Sequence, residues 1–206
     1  MVRVPCQGQI DGATAEWMLW AQVAGDQKNH DMDIARHEAH GYGVANARND
    51  ILREFLAGDD DVLWMVDSDT VPPRSLRILD GLPVREAVSG AYLGMTEAGV
   101  RWHLYRQREG STELWDLTPP PESIQQDRWF RVDATGMGCF LITRELAESL
   151  PPDPFEFRRD ATGAWIGEDL LFCQRLGGVW VDSDYVCEHN RRTPLLRAWQ
   201  WMVKPR

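Results

Sequence analysis

The sequence predicts a single α/β domain with a mostly parallel central sheet and helices on both faces. Three observations carry this. Segments of strand type and helix type alternate through the first ninety residues, the order from which parallel sheets are built. Residues 62–66 (VLWMV) form an unbroken apolar run between acids, as expected of a strand covered on both faces. The 206 residues, 43% hydrophobic and 10% aromatic, suffice for a real core without disulfides or a structural metal, and they exclude a mostly disordered chain.

Taken in order, residues 2–5 read as a short strand, 13–24 as a helix and 44–57 as the clearest helix. The strand 62–66 follows. Pro72-Pro73 opens a turn and a helix to Asp80, since proline is tolerated in a first helical turn. Residues 87–92 are another strand. The stretch 101–106 reads as a hairpin arm and 118–123 (TPPPES) as a loop. A strand at 139–142 is entered through Gly136-Met137-Gly138, and a short helix, 144–150, stops at Pro151-Pro152. A helix over 167–176 ends at Gly177-Gly178, a good C-terminal signal. Residues 179–181 are the last strand. The Pro-rich segments look like loops within one domain.

Composition bounds the partners. The net charge of −10 argues against a general nucleic-acid coat protein. The basic stretch 191–206 carries five Lys and Arg and no acid, so residues 1–190 carry −15. Such a Trp-containing tail could fold over a phosphate-bearing ligand, touch an anionic surface or simply be solvated. No run approaches the ~18 apolar residues of a membrane span, and the N-terminal MVRVPCQGQI has no apolar leader, so a cytoplasmic protein is expected. Cys6, Cys139, Cys173 and Cys187 stand far apart without a C-x-x-C pair and are expected to be reduced and mostly buried.

The most informative segment is DVLWMVDSDTVPP, 61–73. Ligands of open α/β sheets sit beyond the carboxyl ends of parallel strands, where Asp67 and Asp69 fall. Side chains two apart in extended chain point the same way, so both carboxylates can face one site. Two hard oxygen ligands suit Mg²⁺ or Mn²⁺; the alternative is a turn capped by Asp-Ser-Asp. The same tripeptide recurs at Asp182-Ser183-Asp184, where a solvated or turn-forming role is expected.

Arg48 falls on the apolar face of the helix 44–57, among Val44, Ala47, Ile51, Leu52 and Phe55. Either anions or acidic neighbours meet its charge, or it snorkels to water. Glu168 and Asp169 begin a helix, where acids offset the dipole and cap free N–H groups; the functional reading is a general base. His189 follows the last strand and would stand at the ligand edge, as a structural residue or a metal ligand. Of ten tryptophans, most should be core; Trp102, Trp129 and Trp165 could stack on sugars or bases. There is no Walker P-loop, no G-x-G-x-x-G after a strand and no G-x-S-x-G elbow.

The ordered set VPCQGQID, VANARND, VLWMVDSD, ATGMGCFLITR, WIGEDLLFCQRLGG and a late histidine resembles a GT-A fold glycosyltransferase close to family 2, most similar to small bacteriophage-encoded members. The resemblance covers residues 2–190. It implies a GT-A, Rossmann-like domain over 1–190 with 191–206 as a tail. It implies a nucleoside-diphosphate sugar donor, Mn²⁺ or Mg²⁺ as cofactor, and a hydroxyl acceptor, with hydroxylated bases of phage DNA as a candidate. By that resemblance Asp69 would bind the metal, His189 would match a late histidine that ligates it in some members, and Asp67 would contact the donor's ribose or a metal-bound water; the carboxylate pair read from the strand end makes Asp67 a candidate metal ligand as well. Pro5, Gln7, Gly8, Arg48, Asn49, Asp67, Ser68, Asp69, Gly136 and Gly138 would border the nucleotide sugar, the two glycines letting the backbone approach it. Asp169 would be the general base of an inverting transfer, with Glu168 and Trp165 holding the acceptor. The segment 95–135 matches nothing in that family pattern.

Three other readings stay open. A nucleotidyltransferase uses a similar sheet, but PCQGQID lacks the basic residue expected in its first loop. A metal-dependent phosphohydrolase could use the aspartate pair. A non-catalytic nucleotide-sugar-binding module would keep the sheet without the chemistry.

Overall fold

The computed structural model describes residues 1–6, 9–28, 30–38, 43–96, 99–111, 115–118, 120, 128–191 and 193–194. Gln7, Gly8, most of the loop 118–123 and nearly all of the tail lie outside the described residues.

The first half alternates strands and helices, with β2 and β4 added to the elements expected: β1 (Val2–Cys6), α1 (Gly12–Gln27), β2 (Ile34–Glu38), α2 (Gly43–Ala57), β3 (Val62–Val66), a short β4 (Thr70–Val71) and β5 (Ala87–Thr96). An excursion follows, made of β6 (Gly99–Trp102), β7 (Leu104–Gln107), β8 (Trp115–Leu117), β9 (Trp129–Val132) and β10 (Ala134–Thr135). The chain then returns through β11 (Cys139–Thr143), α3 (Arg144–Glu148), β12 (Arg158–Arg159), β13 (Trp165–Ile166), α4 (Glu168–Arg175), β14 (Val179–Arg191) and β15 (Thr193–Pro194).

These strands form a ten-stranded sheet whose spine runs β15-β14-β5-β11-β3-β1-β2. From β14 to β2 every strand runs one way except β11, which is antiparallel to both β3 and β5. The excursion leaves at the carboxyl end of β5, lays β9 antiparallel along the outer side of β14, and re-enters the sheet at the carboxyl end of β3, where Cys139 pairs with Val66.

Both faces of the sheet are covered, which is why β3 is apolar throughout. Leu63 and Met65 point to the side of α2, α3 and α4, among Ile51, Phe55, Phe140, Ile142 and Phe172. Trp64 and Val66 point to the side of α1, among Trp17, Ala21, Leu141 and Tyr185. The period of two thus survives, with both sets buried. Asp11 caps α1 by accepting the Ala13 N–H at 2.9 Å. At the other end of the alternation, Gly177 and Gly178 take positive φ (68° and 113°) and their N–H groups close α4 onto Gln174 and Cys173. The four cysteines are free and buried. Among the described residues no helix is long and apolar enough to cross a membrane.

The structure departs from the sequence reading in four places. The helix expected up to Asp80 is only a 3-10 turn over Arg77–Gly81. The arm 101–106 is broken at His103, β6 pairing with β5 while β7 joins β8 and β10. β2 went unread because its residues are half-exposed and largely polar, as at a sheet edge. The last strand is thirteen residues long and contains the second Asp-Ser-Asp. There the register shifts between Asp182 and Val186, a bulge that turns the strand toward β4. Asp182 is therefore fully buried, not solvated: Arg128 grips it with Nε and Nη2, the latter at 2.6 Å. Removing the carboxylate strips a partly buried guanidinium of its nearer counter-ion, leaving only Asp80 at 3.5 Å among the described residues. Asp182→Ala should cost about 3 kcal/mol, read as a lower urea midpoint at unchanged slope.

Candidate functional site

A cavity of about 390 Å³ opens at the carboxyl ends of the parallel strands. The loop after β3 forms its floor and is held from three sides. Asp67 N–H donates to Gly138 O at 3.0 Å, Asp11 N–H to Ser68 O at 2.9 Å, and Asn190 N–H to Asp69 O at 2.7 Å. Asp67, Ser68 and Asp69 all line the cavity.

The long β14 brings in His189. Its far half pairs antiparallel with β4, setting His189 opposite Thr70, one residue from Asp69. His189 Nε2 then lies 3.4 Å from Asp69 Oδ2, and Nδ1 lies 3.0 Å from the Leu93 carbonyl. A carbonyl only accepts, so Nδ1 carries a proton and Nε2 is the ring atom that faces Asp69. A hard oxygen and an imidazole nitrogen, the latter oriented by a backbone carbonyl, suit Mn²⁺ or Mg²⁺ as two ligands.

Asp67, the third expected ligand, is engaged elsewhere. Its Oδ1 accepts from Arg48 Nη2 at 2.7 Å, while Arg48 Nη1 donates to Glu168 Oε1. Among the described residues no three Asp, Glu, His or Cys side chains come together as a metal cluster. Arg48 itself is buried. It does not snorkel: α2 aims it inward, and the carboxylates at the ends of β3 and α4 meet its charge. Burial alone would lower its pKa, but the charges of Asp67, Glu168 and Asp169 outweigh that and raise it.

Asp169 sits half-buried on the wall, at the start of α4. Its Oδ1 accepts the Leu170 N–H at 2.8 Å and folds back over Gly167, where an added Cβ would come within 2.5 Å of it. Desolvation, then the charge of Glu168, push Asp169 up to about 6, against the pull of Arg48. Glu168 is 6% exposed and committed to Arg48, an anchor rather than a free hand for an acceptor.

Other expected residues are distributed unevenly. Pro5 lines the cavity. Asn49 does not: its amide donates to Phe155 O at 2.8 Å and accepts Phe155 N–H at 2.9 Å, clamping α2 to the loop before β12. Gly136 and Gly138 are buried, and Met137 between them is the one on the wall. The room their absent side chains leave is taken by protein. A Cβ on Gly136 would fall 1.7 Å from Tyr92 Oη and 2.6 Å from His103 Nδ1, and one on Gly138 3.0 Å from the Tyr92 ring. Trp165 is 63% exposed, lies outside the cavity and stacks under Arg159. Trp129 lies between Arg85 and Arg128, away from the cavity.

Two lining residues with polar ring groups, Tyr92 and His103, escaped the sequence reading. Tyr92 ends the expected strand 87–92, so its position was the available signal. Its hydroxyl accepts the Gly138 N–H at 3.2 Å and lies 3.3 Å from His103 Nδ1. Burial, then the charges of Asp67 and Asp169, keep that hydroxyl well above its usual pKa. His103 comes from the unmatched excursion and carries no local pattern.

The fold has a counterpart among solved structures. The chain is similar to A197 from STIV, with a TM-score of 0.63 at 20% identity, over 92% of this chain and 84% of that one. Looser likenesses include HddC from Yersinia pseudotuberculosis (TM-score 0.46, 8% identity, 91% of this chain and 92% of that one). The nucleoside-diphosphate-sugar pyrophosphorylase from Vibrio cholerae RC9 is another (0.43, 11%, 89% and 91%). No family model and no curated protein matches. At these identities the likeness is one of fold.

Because Tyr92 and His103 fill the space beside Gly136, Gly136→Ala should destabilise the protein by about 2 kcal/mol, as overpacking does. Adding Tyr92→Phe should restore part of that loss in the same urea titration.

Proposed function

We propose that this chain is a metal-dependent glycosyltransferase that moves a sugar from a nucleoside diphosphate to an acceptor hydroxyl. The observation that supports it is one cavity into which residues 67–69, 168–169 and 189 all converge. Carboxylates suited to a cation, and a separate carboxylate of raised pKa, share that cavity. Asp69 and His189, with Asp67, would hold Mn²⁺ or Mg²⁺. Such a cation, when bound, supplies Lewis-acid stabilisation to a departing diphosphate. Ser68 and Pro5 would border the donor.

Asp169 is the proposed base. Burial holds its pKa near 6, high enough to accept a proton and low enough to stay ionised at neutral pH. It takes the proton from the acceptor hydroxyl as that oxygen attacks the anomeric carbon, which is the inverting course. Glu168, fixed by Arg48, keeps the start of α4 in place beneath it. A hydroxylated base in DNA remains the proposed acceptor candidate.

A thermal-shift screen of nucleoside-diphosphate sugars with and without Mn²⁺ tests the donor. A melting-temperature rise that needs both ligands is expected, and Asp69→Ala should reduce that rise or abolish it. No rise with any such sugar would overturn the reading.

The base has its own test. Transfer should fall about tenfold per pH unit below about 6 as Asp169 protonates. Asp169→Asn should keep donor binding yet lose transfer; full activity in that variant would refute the base. The sign for stability is opposite. The folded pKa lies above the usual 3.8, so ionised Asp169 destabilises the fold above pH 6, and the cost vanishes below about 4. Asp169→Asn should therefore melt no lower than the parent at pH 7.5.

A further inference from the structure

Of the three side chains proposed to hold the cation, two already face each other: Asp69 Oδ2 and His189 Nε2, 3.4 Å apart. The third, Asp67, gives Oδ1 to Arg48. Arg48 is the one Lys or Arg on the cavity wall among the described residues, against four carboxylates, Asp67, Asp69, Glu168 and Asp169. It is buried, so water screens its charge only weakly. A divalent cation ligated by Asp67 would come close to this guanidinium, and two like charges there repel.

We propose that Arg48 is a positioning residue that competes with the cation for Asp67. Its bond to Asp67 opens when the cation binds, while its bond to Glu168 stays. This rests on the reading of Asp67 as a metal ligand. The geometry favours a hinge at Glu168. Arg48 Nε is buried without a hydrogen-bond partner among the described residues, and there the head is tied through Nη1 to Glu168 and Nη2 to Asp67. Losing one of these bonds lets the head turn about the other. The freed Nη2 then faces the cavity, where an anionic diphosphate oxygen could take the place of the carboxylate. Thus Arg48 neutralises Asp67 before the cation arrives and becomes a donor to the diphosphate afterwards.

The test is a double-mutant cycle on Mn²⁺ affinity, measured by EPR of free Mn²⁺ on the full chain without any sugar nucleotide. Arg48→Met should tighten Mn²⁺ binding about tenfold or more when Asp67 is present, but by less than about threefold in the Asp67→Asn background. Equal tightening in both backgrounds would mean a through-space charge effect and would overturn the competition. So would weaker binding in Arg48→Met, which would mean that Arg48 presents Asp67 to the metal. Arg48→Met leaves Glu168 buried without a counter-ion and could fail to fold. Arg48→Met/Glu168→Gln removes both charges, and its cycle with Asp67→Asn is read the same way. Mn²⁺ binding that ignores Arg48 overturns this inference alone; absence of Mn²⁺ binding in every protein overturns the metal reading and this inference with it.

Discussion

A buried guanidinium on the cavity wall organises this site. Arg48 arrives on the apolar face of α2, among residues that build the core. A buried charge left unpaired would cost several kcal/mol, so the fold must bring anions to it. It does so from two directions, with Asp67 from the end of β3 and Glu168 from the start of α4. One ion-paired head therefore fixes the mutual position of three elements that are distant in sequence. The same charge lowers the pKa of neighbouring Asp169, while burial and Glu168 raise it more. Packing and site chemistry are here the same interaction.

The second constraint is the length of β14. Its first half pairs with β5 and β9 as a core strand. A bulge, anchored by buried Asp182 and Arg128, redirects it so that the second half can pair with β4. That pairing alone brings His189 to Asp69. Two Asp-Ser-Asp tripeptides thus do different work. The first ends a strand and turns its carboxylates into a cavity. The second lies inside a strand and spends its leading carboxylate on an arginine.

The glycines at 136 and 138 show how one residue type invites two readings. A glycine beside a candidate ligand site suggests close approach of backbone to ligand. Here the approach is real but internal, since Tyr92 and His103 occupy the space. The cavity wall beyond them is consequently aromatic and polar, built partly from the excursion between β5 and β11. That segment has no counterpart in the motifs that made the rest of the chain readable.

The sequence by itself determined most of the alternation of strands and helices, the doubly covered β3, the glycine stop after α4, and the placing of Asp67 and Asp69 at a strand end. These are local matters, fixed by periodicity, propensity and the direction of a parallel strand. Only the tertiary structure decided which acids meet which bases. Whether Arg48 snorkels or is buried depends on where β3 and α4 end in space. Whether Asn49 faces a ligand or clamps Phe155 depends on a loop more than a hundred residues away. Whether the second Asp-Ser-Asp is wet depends on Arg128. Charge pairing is set by distances across the fold, and no pattern of neighbours along the chain encodes them.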